Sequence, residues 1–300
     1  MALDGDPVSR DVITTPRLVG DMDEDWYHQD FGPVAEGSLS VSGAKKLLPP
    51  SCPAVFDYER SHPKPPTAQM EEGTIVHAML LGTDARAVVL DYPNYSKKEA
   101  QQARDAARAA GRIPVLPHKY AELEAVAQAV LDDDECAGLL AEGDSEASMF
   151  WVDEEAGIWC RGRIDRLTHF DGLPTIVDLK TAASSAPDKF AKSVDEYCYY
   201  MQSEWYREGL AALLGCDRDD VDFVFVVVPT EPPYLPMAYR LEDPRDIAIG
   251  RQRNAIAREK YADCAAVNAW PKWSSDIHPL SLPGYARNRI GSEILRAYDY

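Results

Sequence analysis

Between Ala147 and Thr181 the chain reads ASMFWVD, GIWCRGRIDRLTHF and TIVDLKT, three runs rich in β-branched and aromatic residues. Turn signals at Glu155-Ala156-Gly157 and Asp171-Gly172 part them, so the spacing predicts an antiparallel meander. A long helical pattern follows from about Pro187 to Leu214. Two further strands are predicted near 221–229 (VDFVFVVVP) and 234–241, then a helix from about 243 to 264. Helices, a meander, a helix and more strands predict an α/β domain with a mixed central sheet flanked by helices.

Upstream, SLSVSGAKKLL predicts a short helix capped by Ser40 or Ser42. The proline-rich stretch PPSCPAVFDYERSHPKPP reads as a loop, and QMEEGTIVHAMLLG as a buried helix closed by Gly82. Residues 97–111 and 117–132 are alanine-rich and predict two amphipathic helices. The tail, with Trp270 and Trp273, reads as irregular chain packed on the body. The organisation predicted is an acidic flexible arm over 1–36 and a single domain over 37–300. That domain has a helical part at about 38–135 and a sheet-containing core at about 145–265.

A formal charge of −19 opposes nucleic-acid binding at first sight, because phosphate neutralisation supplies much of that affinity. The acids are concentrated, however: residues 1–36 carry a net −7 and residues 132–155 a net −10, leaving −2 for the rest. A local basic groove is therefore compatible with the composition. No apolar run approaches the length of a membrane span and the N-terminus lacks a secretory pattern, so a cytoplasmic protein is expected. The six cysteines are scattered without a close pair, which predicts free thiols in a reducing compartment.

The chemistry concentrates in RIDRL and IVDLKT. Residues two apart on a strand share a face, so Ile176, Asp178 and Lys180 lie on one side, with Val177 and Leu179 on the other, toward the core. Asp165 shares a face with Arg163 and Leu167. If the strands pair through the Asp171-Gly172 turn, Asp165 and Asp178 converge at one end of the sheet. Two carboxylates so close perturb each other unless a cation intervenes, and hard divalent ions favour such oxygens. Glu146, one strand earlier, is a further candidate ligand, although its acidic surroundings suit solvated surface. Arg161, Arg163 and Arg166 suit either phosphate or the nearby acids.

The succession GTIVH (73–77), Asp165 in RIDRL, VDLKT (177–181) and YYMQSEWY (199–206) resembles the RecB-related branch of the PD-(D/E)XK nucleases, most closely the RecE-type (exonuclease VIII-like) phage and prophage exonucleases. SGAKKLL, FWVDEEAGIWCRGRID, DLKTAASSAPDKF and AWPKW fit the same pattern, which covers roughly 38–290. The resemblance implies a restriction-endonuclease-like core with His77, Asp165 and Asp178 as metal-site residues and Lys180 as catalytic lysine. It also implies that Gln202 and Tyr206, four apart and on one helix face, position substrate. Related CRISPR-associated and AddB-like nucleases carry a cysteine-ligated iron–sulfur cluster. Cys52, Cys216 and Cys264 lack that spacing, so no cluster is expected.

The function implied is Mg²⁺- or Mn²⁺-dependent hydrolysis of linear duplex DNA from an end, for recombination or repair. Homo-oligomerisation and a single-strand annealing partner follow from the same resemblance. Two other readings stay open: a CRISPR-associated-type nuclease of single strands or flaps, and a non-catalytic DNA-binding module. The acidic arm could also mask the groove by mimicking DNA.

Overall fold

The computed structural model describes residues 10–20, 22–29 and 31–298. The chain enters at a sheet edge, where β1 (Arg17–Val19) lies antiparallel to a later strand. Helix α1 (Glu24–Tyr27) follows, its first turn capped by the Asp23 carboxylate, which accepts the Trp26 N–H. Ile13, Val19, Met22, Tyr27 and Val34 are buried together with Phe150. Across its described residues the expected flexible arm is therefore a packed segment. Its elements are only three and four residues long, too short to show a period.

Strand β2 (Leu39–Ser40) leads directly into α2 (Val41–Lys46), and Ser40 Oγ accepts the Gly43 N–H, as the capping pattern predicted. The proline-rich stretch is not all loop. Pro53 opens α3 (Pro53–Ser61) at a position where a helix needs no N–H, and Phe56 turns into the core. Helix α4 (Ala68–Leu81) ends at Gly82 with φ 70°, as predicted. Two short parallel strands, β3 (Ala87–Val89) and β4 (Ile113–Val115), flank α5 (Lys98–Ala109) and form a small separate sheet that the alanine-rich pattern did not foretell. After α6 (Pro117–Leu131), the acidic run contains α7 (Asp134–Ala141). Asp133 caps it by accepting the Cys136 N–H, and Cys136, Leu139 and Leu140 are buried.

The meander is as predicted: β5 (Asp144–Asp153), β6 (Ile158–Phe170) and β7 (Leu173–Ala182) pair antiparallel in succession. The long helix is two, α8 (Pro187–Glu196) and α9 (Tyr199–Leu214), because Cys198 adopts a left-handed backbone with φ 50° between them. Their crossover brings β8 (Asp222–Pro229) parallel to β7, and β9 (Met237–Tyr239) returns antiparallel. The sheet order is β1-β5-β6-β7-β8-β9, with β2 beside β6, a mixed central sheet. Helix α10 (Pro244–Val267) backs α9, and the tail contains a helix, α11 (Gly284–Tyr298), where irregular chain was expected. No described helix is long and apolar enough to cross a membrane.

Both sheet faces are cores. Ile176, Phe223, Phe225 and Val227 pack with Met201, Trp205 and Leu210 of α9. Val177, Leu179, Val224 and Val226 pack with Ile75 and Val76 of α4 and with α6 and α7. Val177 and Leu179 thus face a core as predicted, but the Ile176–Asp178–Lys180 side is also covered, by α9. Helices α4, α6 and α7 of the first half close one face of the sheet.

Candidate active site at a forked strand

Strand β6 changes partner along its length. Cys160 and Arg161 pair with β2 and Arg166–Phe170 with β7, so Gly162–Asp165 pair with neither on that side. Backbone groups exposed by such a gap need other partners. Helix α9 supplies two: the Tyr206 hydroxyl accepts the Arg163 N–H at 3.3 Å, and Trp205 Nε1 donates to the Arg161 carbonyl at 3.0 Å. Gly162 allows this approach, since a methyl there would lie 3.0 Å from Met149 Cε and 3.5 Å from the Tyr206 ring. The two-residue alternation breaks here as well. Ile164 and Leu167, three apart, pack on the same core, and Glu146 on the neighbouring strand has φ 57°. The expectation that Arg163, Asp165 and Leu167 share one face is corrected accordingly.

The two carboxylates meet at the fork. Asp165 lies one residue before the last β6–β7 pair, Arg166 with Val177, and its carboxylate reaches across to the residue after Asp178, whose charge acts on it. Instead of a backbone bond, the Leu179 N–H donates to Asp165 Oδ2 at 2.8 Å. Asp178 is buried, with its Oδ1 accepting from Gln202 Nε2 at 2.6 Å and its Oδ2 ion-paired with Lys180 Nζ. Gln202 and Tyr206 stand on the inward face of α9, as their four-residue spacing required, but they engage different strands. Gln202 holds the carboxylate and Tyr206 holds the backbone of β6.

His77 arrives from the opposite layer. Helix α4 crosses close to β7 at Gly73, where a methyl would lie 3.3 Å from Thr181 Oγ1. One turn later His77 Nδ1 stands 3.8 Å from Asp165 Oδ2, beyond hydrogen-bonding distance. Burial and the Lys180 ammonium push the imidazole down to about 4, so it is neutral at ordinary pH. Burial and the Asp178 charge push Asp165 up to about 8. Burial works to lower Lys180, but Asp178 and Asp165 outweigh it and the ammonium is held above its usual range. Glu146 is not free surface: it pairs with Arg163 Nε at 2.7 Å, and its charge acts on both Asp165 and His77. Arg161 donates to the Ser38 carbonyl and hydroxyl, and Arg166 to the Gly143 carbonyl.

Among the described residues no set of three His, Cys, Asp or Glu side chains is arranged to hold a metal. The donor set nevertheless suits a hard divalent cation, which one or two carboxylates can hold with water completing the shell. Burial first and the Asp178 charge second disfavour the Asp165 carboxylate, and a cation held between the two would offset both. Two neighbours escaped the sequence reading. The centroid of the Tyr199 ring lies 4.9 Å from Lys180 Nζ and 5.5 Å from Nζ of Lys45 in α2. Both stand inside quoted stretches, YYMQSEWY and SGAKKLL, but nothing in their spacing links them to the carboxylates.

A mixed sheet whose adjacent strands bring together two aspartates, with a lysine two residues after the second, has the PDDEXK-like architecture. Residues 40–281 match the family described as the PDDEXK-like domain of unknown function (DUF3799), and the chain belongs to that family. The fold is similar to that of a solved Eubacterium rectale protein described as a "putative exonuclease". The TM-score is 0.59 at 14% identity, over 89% of this chain and 97% of the other. Among curated proteins none matches the sequence.

Proposed function

We propose that the protein is a divalent-metal-dependent DNA exonuclease of RecE type, hydrolysing linear duplex from an end. The observation that carries this reading is that the Asp165 carboxylate, at the fork of β6, bonds the Leu179 N–H beside Asp178 and is acted on by the Asp178 charge, with Lys180 paired to the second carboxylate. Membership of a PDDEXK-like family and a fold shared with a protein described as an exonuclease support it. Asp165 and Asp178 would hold the ion, with His77 beside them. When bound, a divalent cation supplies positive charge against the phosphodiester and makes water more acidic. Gln202 fixes the rotamer of Asp178 through its 2.6 Å bond. Lys180, kept charged by the two aspartates, donates to the phosphoryl oxygens as negative charge builds on them. Preference for duplex ends, a homo-oligomer around DNA and a single-strand annealing partner belong to the same proposal and rest on the resemblance.

The test is digestion of end-labelled linear, nicked and circular duplexes, and of single strands, with Mg²⁺, with Mn²⁺ and with EDTA. Linear duplex shortened from its ends only with metal is the expected result. Asp178→Asn and Lys180→Ala should each lower the rate by at least about a hundredfold, as for loss of a group that stabilises developing charge. Undiminished metal-dependent digestion by Asp178→Asn removes the site assignment, and preference for single strands or flaps replaces the substrate.

A further inference from the structure

Helix α2 carries two adjacent lysines that meet different fates. Lys46 is exposed and pairs with Glu59 Oε2 at 2.8 Å. Lys45 is half-buried, and among the described residues it enters no ion pair. Its ammonium instead lies over the Tyr199 ring at 5.5 Å, the same ring that receives Lys180 at 4.9 Å. Two ammonium groups therefore share one aromatic ring at the edge of the candidate centre, and only Lys180 is ion-paired with a carboxylate. Withdrawing a charge from water without a partner is costly, and a ring face returns little of that cost. Burial, with the Lys180 charge next, brings the Lys45 ammonium down to about 8, outweighing the upward pull of Cys198 and of Asp178, neither of which pairs with it directly.

The position is built, not incidental. Ser40 caps α2, and β2 fastens the helix start to one prong of β6. Gly43 packs so closely that a methyl there would lie 2.9 Å from the Phe56 ring. The helix is thus held in place with Lys45 set against the Tyr199 ring of α9. We propose that Lys45, with the Tyr199 ring beside it, binds a backbone phosphate of the nucleic-acid strand next to the one held at the Asp165–Asp178 centre. The identity of the ligand rests on the nuclease reading; the unmatched cation does not. Lys180 and Lys45 would then divide the work, one serving the reacting phosphate and the other registering the strand.

The full chain in EDTA, titrated into fluorescein-labelled duplex and single-stranded oligonucleotides between about 50 and 200 mM salt, tests this. Lys45→Met should weaken binding about tenfold and lower the slope of log affinity against log salt by about 0.7–0.9, one phosphate contact. Lys45→Arg should restore most of both, and Lys46→Met should change neither. The melting temperature of Lys45→Met should equal or exceed that of the wild type, because an unpaired buried charge is lost. Unchanged affinity and salt slope in Lys45→Met overturn the inference even if the protein digests DNA. Equally fatal are a wild type that binds no oligonucleotide and a binding loss that follows a lowered melting temperature and is not restored by Arg. Lys45-dependent binding without any metal-dependent digestion upholds this subsite and removes the nuclease reading.

Discussion

Asp165 holds a proton up to about pH 8, because burial and Asp178 both oppose its charge. A cation that takes this carboxylate must displace that proton, so metal uptake near neutrality should release protons and tighten as pH rises. The same shift governs stability without metal. A carboxyl with a raised folded-state pKa contributes stability that is full below about 4 and lost as pH climbs through about 8. His77, lowered from 6.5 to about 4, acts in the opposite sense, its contribution lost as pH falls through that range. The two slopes oppose each other from about 4 to 6.5, leaving the Asp165 slope alone from 6.5 to about 8. In EDTA the wild type should lose on the order of 1–2 kcal/mol across that window, and Asp165→Asn should flatten the decline. Denaturant titrations at a series of pH values measure this, and an identical slope in the variant rejects the assignment. Asp165, Asp178 and Lys180 were legible because a short turn joins their strands and Asp178 and Lys180 keep the period of two, although the break of that period at Asp165 was not. Lys45 was not, since the ring it lies against, Tyr199, is more than a hundred residues away and no local pattern links the two.

At the scale of elements, the site depends on α9 completing a sheet that β7 and β2 leave open. Tyr206→Phe keeps the ring but leaves the Arg163 N–H without its acceptor, and an unsatisfied buried donor costs about 1–3 kcal/mol. Chemical denaturation should show that loss. If Tyr206 acts through the backbone of β6 and not on substrate, KM should stay within about twofold of wild type, less than the loss of one hydrogen bond to a bound ligand. A change in KM with no loss of stability would reverse that role. The elements themselves divide by how their boundaries are written. The meander announces its turns in Gly157 and Gly172, and α4 announces its stop in Gly82. Pro53 reads as a breaker when it is a starter, because the same missing N–H serves both purposes. Cys198 hides the break between α8 and α9, since a left-handed cysteine has no sequence signature. Helix α7 hides in the acidic run, although Asp133 as a cap and the buried Cys136, Leu139 and Leu140 state it clearly in retrospect.

In the whole molecule, β7 and β8 present alternate residues to two cores, so neither core can melt without exposing the other side of the same strands. Val226→Ala, in the core under α4 and α6, should cost about 2 kcal/mol through lost burial and a residual cavity. Trp151 and Trp205 lie in the opposite core. Their fluorescence should nevertheless shift its unfolding midpoint together with far-ultraviolet circular dichroism, and separated midpoints would show that the cores unfold independently. The fork in β6 has a counterpart in time. Amides bonded strand to strand are released only when the sheet opens, whereas the Arg163 amide is secured by a single phenol on a neighbouring helix. Deuterium should enter there earlier than at Arg166 or Leu167, a clock that reads the docking of one helix while the rest of the molecule stays shut.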